Sequence, residues 1–242
     1  MAICLGQEIM IYADISVYSY LAVPIGYLLG SIPSAYIVGR LIGKIDLRTE
    51  GDGRISAAAV KKRVGFWPFI LVVVMDVCKG ALAIVIARIL TQSPVEFFGE
   101  FSRPPLAIPL LSLIIVLLTG LVTVIGHSWS PFIKFQGGLG ATVIYGVLFG
   151  LMFFPQELTA LVLGGITALI TRKSGFSTGV IIAVLVVILL LQKLLWSPEM
   201  SFITVFYPIF LILLMMVKRF QVRKTRGIMK HDLFEYWAND KS

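Results

Sequence analysis

Long apolar segments are the feature that most constrains this chain. Residues 66–90 form an apolar stretch that contains Asp76, Lys79 and, near its end, Arg88. A helix needs about 20 predominantly apolar residues to cross the core of a bilayer. Of the 242 residues, 58% are hydrophobic and only 14% are charged, which is too little charge to cover the surface of a soluble domain. The sequence therefore predicts an all-α integral membrane protein.

Seven apolar segments alternate with polar loops along the chain. The fourth and fifth are short and meet near Pro155, so they are either thin tilted helices or a re-entrant hairpin. The predicted spans are residues 17–42, 66–90, 105–125, 141–154, 158–171, 179–196 and 202–217. No linker or second soluble module is evident. We therefore expect a single integral membrane domain over residues 1–242, with seven transmembrane helices.

Basic residues are concentrated in alternate loops, and this asymmetry predicts the orientation. Positively charged loops remain in the cytoplasm, so we expect an external N-terminus and a cytoplasmic C-terminus, as seven spans require. The cytoplasmic cations are Arg40, Lys44, Arg48, Arg54, Lys61, Lys62, Arg63, Lys134, Arg172, Lys173 and the tail group beginning at Lys218. The acidic residues assigned to the opposite face are Glu8, Asp14, Glu96, Glu100, Glu157 and Glu199.

The remaining composition argues against several other classes. The net charge of +8 does not indicate a nucleic-acid partner, because the cations lie in the loops between membrane spans. Residues 1–16 lack a basic region, so we expect no signal peptide. Cys4 and Cys78 form no CxxC pair, and we expect neither a disulfide nor a metal site.

The segment between the third and fourth spans is the strongest candidate for a functional site. It reads GHSWSPFIKFQGGLGAT at residues 126–142. Gly137, Gly138 and Gly140 open the fourth span, and free amides in the first turn of a helix attract anions. His127 is either a general base near neutral pH or, more commonly, a residue that stabilises its loop.

Charged residues in and after the first two spans have two interpretations. Arg40 and Arg48 are either phosphate ligands, since guanidinium groups bind phosphate bidentately, or determinants of membrane topology. The topological interpretation is favoured for the cluster at residues 61–63 and for the tail. Asp76 and Lys79 are spaced i,i+3 within the second span, so we expect a structural ion pair.

Four motifs together resemble one family. They are GSIPSAYIVGR at residues 30–40, D-x-R-x-x-G at 46–51, DVCKG at 76–80 and the central segment. Their order and spacing are similar to those of the bacterial acyl-phosphate:glycerol-3-phosphate acyltransferases of the PlsY type. The resemblance implies a seven-helix fold in the bacterial inner (plasma) membrane with its active-site loops in the cytoplasm. It also implies that the 1-hydroxyl of glycerol 3-phosphate attacks an acyl phosphate, giving lysophosphatidic acid and phosphate without a cofactor or metal.

The resemblance assigns roles to residues that match the family pattern. The candidate catalytic residues are Ser31, His127 and Lys134. The candidate phosphate-binding residues are Arg40, Arg48, Gly51, Gly53, Gly137, Gly138, Gly140 and Arg172, to which this sequence adds Arg54. An acyl phosphate is already activated, so the protein mainly positions two phosphates and stabilises oxyanion charge. The family is thought to use the substrate's own phosphate as the proton acceptor.

The sequence departs from the family pattern at several positions. The first loop reads GDGRISAAA where the family has GSGNIGATN, and Leu139 stands at the lysine of GGKG. Gly175 replaces a serine, and Val217 and Phe220 replace the histidine and asparagine of the tail. Each lost charge-assisted contact costs about 1.5–3 kcal/mol. A second hypothesis is therefore an inactive relative that binds a lipid or a partner, and a third is a small anion or lipid transporter.

Overall fold

The computed structural model describes residues 16–49, 55–93, 109–151, 174–195, 198 and 200–239, and all regular structure within them is helical. A 3-10 turn, Val17–Leu21, leads into α1 (Ala22–Ser31), α2 (Ser34–Leu41), α3 (Ala57–Arg63) and α4 (Phe66–Leu90). Further along the chain lie α5 (Leu110–Ser128), a 3-10 turn at Pro131–Ile133 and α6 (Ala141–Gly150). The last two helices are α7 (Ser174–Leu195) and α8 (Phe202–Asn239).

Within the described residues, four helical segments are long and apolar enough to cross a membrane. They are Val17–Leu41, Phe66–Leu90, Leu110–Ile133 and Phe202–Val222, and two shorter apolar helices cover Ala141–Gly150 and Val180–Leu195. The predicted all-helical, multi-pass membrane class is therefore confirmed. The predicted fifth span, residues 158–171, lies outside the described residues.

The first predicted span is divided into two helices at Ile32 and Pro33. A residue that precedes proline is disfavoured in the helical region, and Ile32 has an extended ψ of 116°. Proline also lacks an amide N–H, so the hydrogen-bond ladder is interrupted. The Ile32 carbonyl is left available, and it accepts a 2.9 Å hydrogen bond from Nζ of Lys79 on α4.

Glycines allow two pairs of helices to approach closely. A Cβ added to Gly30 of α1 would overlap the Thr123 carbonyl of α5, and one added to Gly146 of α6 would overlap the Val77 carbonyl of α4. Small residues at such crossings are typical of helix packing within membranes, where van der Waals contact replaces the hydrophobic driving force. These crossings pack α1 against α5 and α4 against α6.

In the part of the chain that the structure describes, two buried apolar clusters lie between the helices. The larger includes Ile84, Val116, Val147, Leu185 and Leu211, from α4 through α8. The smaller consists of Ala35, Val38, Leu47, Ile55, Val60, Val72 and Ile133, and it joins the first loop to the central segment. Large apolar side chains cover the outside of the helices, as expected where a surface faces lipid.

α8 extends well beyond the predicted seventh span, residues 202–217. Hydropathy marks where the apolar crossing ends, but the helix itself continues to Asn239. The Tyr207 hydroxyl donates a 2.8 Å hydrogen bond to the Leu117 carbonyl and ties α8 to α5. As a result Lys218, assigned above to a polar tail, lies on a helix that packs against the central segment.

Candidate active site

The central segment leaves α5 through a strained turn. α5 ends at Ser128, and a 3-10 turn at Pro131–Ile133 follows. Lys134 and Phe135 both adopt the left-handed conformation, with φ of 54° and 61°, which is uncommon for residues other than glycine. The Phe135 amide donates a 2.8 Å hydrogen bond to the Ser130 carbonyl and closes the turn. Such backbone strain clusters at ligand-binding segments.

The three glycines that follow are required by close packing and by backbone geometry. A Cβ added to Gly137 would overlap the His127 carbonyl, and one added to Gly138 would lie 2.5 Å from Nε2 of His127. Gly140 has a φ of 85° at the N-cap of α6, a conformation that favours glycine. The glycine run therefore lies directly against His127, with Nε2 facing the Gly138 backbone.

The backbone amides of the glycine run and of the first turn of α6 are available to a ligand. Within the described residues, none of the amides from Gly137 to Val143 donates a hydrogen bond to another backbone group, and the first bond of α6 joins the Ile144 amide to the Gly140 carbonyl at 2.9 Å. No side chain caps the helix. Unpaired amides at a helix N-terminus attract anions, so this geometry permits the predicted role.

Three ionisable side chains meet beside the glycine run. Nζ of Lys79 lies 2.8 Å from Oδ1 of Asp76 and 2.9 Å from Nδ1 of His127. The same ammonium donates to the Ile32 carbonyl at 2.9 Å and to the Ser34 hydroxyl at 3.3 Å. Asp76 and Lys79 are buried. One lysine thus connects α4 to the end of α5 and to the break between α1 and α2.

In the cluster of Asp76, Lys79 and His127, the carboxylate and the ammonium neutralise each other. The Thr142 hydroxyl donates to Oδ2 of Asp76 at 2.8 Å. Oδ1 accepts no well-directed hydrogen bond, so its 2.8 Å contact with Lys79 is an electrostatic one. A protonated Lys79 donates to Nδ1 of His127, which leaves the imidazole proton on Nε2, the atom facing Gly138. The arrangement favours His127 as a hydrogen-bond donor over His127 as a base.

Arg40 and Arg48 converge on one carboxylate in the first loop. Their Nη2 atoms lie 2.8 Å and 2.7 Å from Oδ2 of Asp46, and the Tyr36 hydroxyl accepts from both side chains. The Arg48 guanidinium lies over the Tyr36 ring, 4.8 Å from its centroid. Hydrogen bonds from Arg48 hold the pKa of Asp46 well below its usual range, and that carboxylate raises the pKa of Arg48. Two cations on one anion leave positive charge for a ligand.

The first loop packs against the central segment. Leu47 and Ile55 share a buried cluster with Ile133, and the Ile55 carbonyl lies 3.3 Å from the position of a Cβ added to Gly138. The loops that carry the arginines and the glycines are therefore adjacent. Within the described ranges, no group of three or more His, Cys, Asp or Glu residues is placed to hold a metal ion.

Comparison with known proteins identifies the family. The model of the glycerol-3-phosphate acyltransferase family matches residues 20–227. The chain belongs to this family. A Gloeobacter violaceus glycerol-3-phosphate acyltransferase is 34% identical over 152 residues, which cover 63% of this chain and 66% of that protein. A Rhizobium johnstonii glycerol-3-phosphate acyltransferase 2 is 40% identical over 131 residues, which cover 51% and 57% respectively. The chain thus spans 66% of the length of the first of these curated relatives and 57% of the second.

Solved structures place this family member in a known fold. Two crystal structures of PlsY (YgiH), an integral membrane glycerol 3-phosphate acyltransferase, match 88% of this chain and 92% of their own chains at 22% identity. The TM-scores are 0.61 for the glycerol 3-phosphate form and 0.60 for the lysophosphatidic acid form. At this identity the likeness shows the fold, and with the family match it confirms the resemblance drawn from the sequence motifs.

The predicted catalytic residues of this acyltransferase family member occupy different environments. His127 belongs to the buried cluster, whereas Lys134 is exposed. Ser31 is fully buried, and its hydroxyl donates to the Tyr27 carbonyl at 2.7 Å. The Ser31 carbonyl accepts a 2.6 Å hydrogen bond from the Ser130 hydroxyl. Four of the predicted phosphate-binding residues lie outside the described residues: Gly51, Gly53, Arg54 and Arg172.

Several residues of the site were not singled out from the sequence. Thr142 contacts Asp76, and Tyr36 contacts both arginines, as described above. Lys218 is only 4% exposed although it was grouped with a polar tail. Its burial could have been inferred from helical spacing, because Leu211 and Met215, which are also buried, precede it at intervals of four and three residues.

The departures from the family pattern have structural counterparts. Leu139 packs against the larger apolar cluster, so the glycine run carries an apolar side chain where the family has a cation. Val217 and Phe220 are 58% and 67% exposed, so both point away from the protein interior. The helix face of α8 that meets the central segment carries Lys218 and Gln221 instead.

Proposed function

We propose that this protein is a membrane acyltransferase that transfers an acyl group from an acyl phosphate to the 1-hydroxyl of glycerol 3-phosphate. The products are lysophosphatidic acid and inorganic phosphate. Membership of the glycerol-3-phosphate acyltransferase family supports the reaction class. The observation that carries the proposal is the row of unpaired amides from Gly137 to Val143, set against His127 and adjacent to the loop of Arg40 and Arg48.

The chemistry requires positioning more than covalent participation by the protein. An acyl phosphate is a mixed anhydride with a good leaving group, so the hydroxyl of the acceptor attacks the acyl carbon and the C–O bond to phosphate breaks. The amides at the glycine run stabilise the oxyanion or a phosphate oxygen. The acceptor's own phosphate takes the hydroxyl proton, and the bound geometry of the two substrates supplies much of the rate.

Individual residues receive roles on this proposal. Arg40 and Arg48 bind a phosphate group in exchange for part of their contact with Asp46. His127, whose Nε2 faces the Gly138 backbone, orients the glycine run within the site. Ser31 positions the central segment through its carbonyl, and exposed Lys134 meets substrate at the surface of the turn. By resemblance, Gly51, Gly53, Arg54 and Arg172 complete the phosphate-binding set.

The same proposal includes the membrane arrangement. We assign seven spans to one domain covering residues 1–242, with residues 158–171 as the fifth span. The N-terminus is external and the C-terminus cytoplasmic, so the active-site loops face the cytoplasm of a bacterium from its inner membrane. Basic loops at residues 40–63 and the basic tail support this orientation. Both substrates are anionic, and the acyl donor and product enter and leave through membrane lipid.

One observation favours a second candidate function. Leu139 packs against an apolar cluster instead of supplying a cation to the glycine run. A relative with this substitution and the altered first loop would bind a lipid phosphate without turnover. A transporter of anions or lipids is the third candidate, as broken helices such as α1 and α2 also build transport sites.

Purified full-length protein in detergent, supplied with acyl phosphate and glycerol 3-phosphate, tests the proposal. We expect release of phosphate and lysophosphatidic acid, a fall in kcat/KM of at least about tenfold for Arg48→Ala, and a change within about twofold for Lys62→Ala, an exposed cation of the same region. Lipid binding without turnover supports the second candidate. Flux into liposomes without chemistry supports the third.

A further inference from the structure

α8 brings one lysine against the central segment. Lys218 is 4% exposed, and its Nζ lies 4.8 Å from the centre of the Trp129 ring. The same atom donates a 3.4 Å hydrogen bond to the Phe135 carbonyl. The ammonium therefore spans the turn that connects His127 to Gly137, and the row of unpaired amides begins two residues after Phe135.

The N–H groups of the Lys218 ammonium are only partly satisfied by hydrogen bonds within the described residues. An ammonium carries three N–H donors, and a buried cation requires strong partners. Among the described residues its hydrogen-bond acceptor is the Phe135 carbonyl, and the 3.4 Å distance exceeds the usual range of about 2.7–3.2 Å. No carboxylate in the described ranges forms an ion pair with it, whereas buried Lys79 is paired with Asp76. The face of an aromatic ring offsets only part of the cost of burial.

The position of Lys218 is fixed by its neighbours on α8. Nε1 of Trp129 donates a 2.9 Å hydrogen bond to Oε1 of Gln221, one turn further along the helix. Val217 and Phe220 face outwards on the other side. The rotation of α8 about its axis therefore directs Lys218 and Gln221, and not Val217 or Phe220, at the central segment.

We propose that Lys218 is a phosphate-binding residue of this site and acts together with the amides from Gly137 to Val143. The inference rests on the proposed function, because the phosphate belongs to one of its two substrates. The ligand chemistry is a phosphate group on either glycerol 3-phosphate or the acyl phosphate. An incoming phosphate supplies the counter-ion that the buried ammonium lacks, and the weak bond to the Phe135 carbonyl is replaced by a charge-assisted one.

Steady-state kinetics with matched variants identify the substrate concerned. Lys218→Met removes the charge and keeps an apolar stem against Trp129, Lys218→Gln is a second neutral variant in case the first does not fold, and Arg219→Met is the neighbouring control. We expect the neutral variants to raise KM for one substrate about ten- to hundredfold. Lys218→Arg is expected to recover most of this loss, and Arg219→Met to stay within about twofold. The substrate whose KM rises is the one whose phosphate contacts Lys218.

Inorganic phosphate separates binding from a purely structural role. We expect phosphate to raise the thermal midpoint of the wild type and of Arg219→Met, and to inhibit both, whereas the neutral Lys218 variants lose the midpoint shift and the inhibition. The inference is overturned if those variants keep the KM values and the phosphate inhibition of the wild type and only their thermal midpoint falls. That result would show that Lys218 has a structural role, holding α8 against the turn. If the neutral Lys218 variants turn over with the KM values of the wild type, the inference fails and the proposed function still holds. A phosphate-induced shift that depends on Lys218 in a protein without turnover supports the anion site and refutes the acyltransferase.

Discussion

The buried pair of Asp76 and Lys79 gives a prediction about stability that can be worked from the structure. Lys79→Met removes an ammonium that lies 2.8 Å from Oδ1 of Asp76 and also donates to the Ile32 carbonyl and the Ser34 hydroxyl. The carboxylate is then left buried with the Thr142 hydroxyl as its hydrogen-bond donor and with Nδ1 of His127 3.7 Å from Oδ1. Breaking a buried ion pair in this way typically costs about 3–5 kcal/mol. At about 2–4 °C per kcal/mol for a chain of this size, the thermal midpoint should fall by roughly 6–20 °C.

A double-mutant cycle tests whether the pair itself is responsible. Asp76→Asn combined with Lys79→Met removes both charges, and the amide retains its contact with Thr142. Because no unpaired charge remains, we expect the double variant to be about 2–3 kcal/mol more stable than the sum of the single losses predicts. Leu82→Met is the control, since this side chain is 49% exposed on the same helix, and it should change stability by less than about 0.5 kcal/mol.

The assay is reversible unfolding in detergent followed by intrinsic tryptophan fluorescence, with thermal midpoints as the second readout. Additive losses in the cycle, or a loss below about 1 kcal/mol for Lys79→Met, would refute the reasoning. Either result would mean that the carboxylate is neutralised or hydrated once the lysine is absent.

Three further predictions follow from single contacts. Gly30→Ala places a Cβ on the Thr123 carbonyl and should cost about 1–3 kcal/mol in the same unfolding assay, and a neutral result would contradict the close crossing of α1 and α5. The Asp46 pKa is lowered in the folded state by Arg48, so its contribution is complete above the unfolded pKa of about 3.9 and is lost as the pH falls through the lower folded value. The midpoint difference between wild type and Asp46→Asn should therefore be constant from about pH 5 to 8 and shrink below about pH 4, and a difference that changes around neutral pH would exclude this pair as its source. Leu139→Lys restores a cation at the glycine run and should raise kcat/KM about tenfold or more, whereas unchanged turnover would show that this cation is not limiting.

The membrane class could be predicted from the sequence because hydropathy reports the cost of exposing apolar side chains to water. The same cost keeps these segments inside a bilayer. Residues 66–90 have too few charges to lie in water, and α4 covers the whole of that range. The first predicted span, residues 17–42, runs through Ile32 and Pro33 without a break, although proline and the residue before it both disfavour an uninterrupted helix. The apolar pattern therefore predicts the length of the first span, whereas the backbone restrictions of proline determine where its helix is interrupted.

The candidate site was harder to predict because its contacts join distant parts of the chain. The i,i+3 spacing predicted contact between Asp76 and Lys79, but nothing local connects Lys79 to His127 or to the Ile32 carbonyl. The glycines were interpreted as a ligand loop, and the structure adds a packing reason for two of them, since any side chain at Gly137 or Gly138 would meet His127.

The distribution of charge in the described residues separates the cations that hold the site together from those that can bind substrate. Lys79 and Asp76 cancel, so together they contribute no net charge to an incoming phosphate. Arg40 and Arg48 share the single carboxylate of Asp46, which leaves one positive charge, and unpaired Lys218 supplies another. A phosphate monoester carries nearly two negative charges at neutral pH, so the arginine pair and Lys218 together balance one phosphate dianion. Neutralising Arg48 or Lys218 should therefore weaken the salt dependence of substrate binding, whereas removing Asp76 and Lys79 together should leave that dependence unchanged.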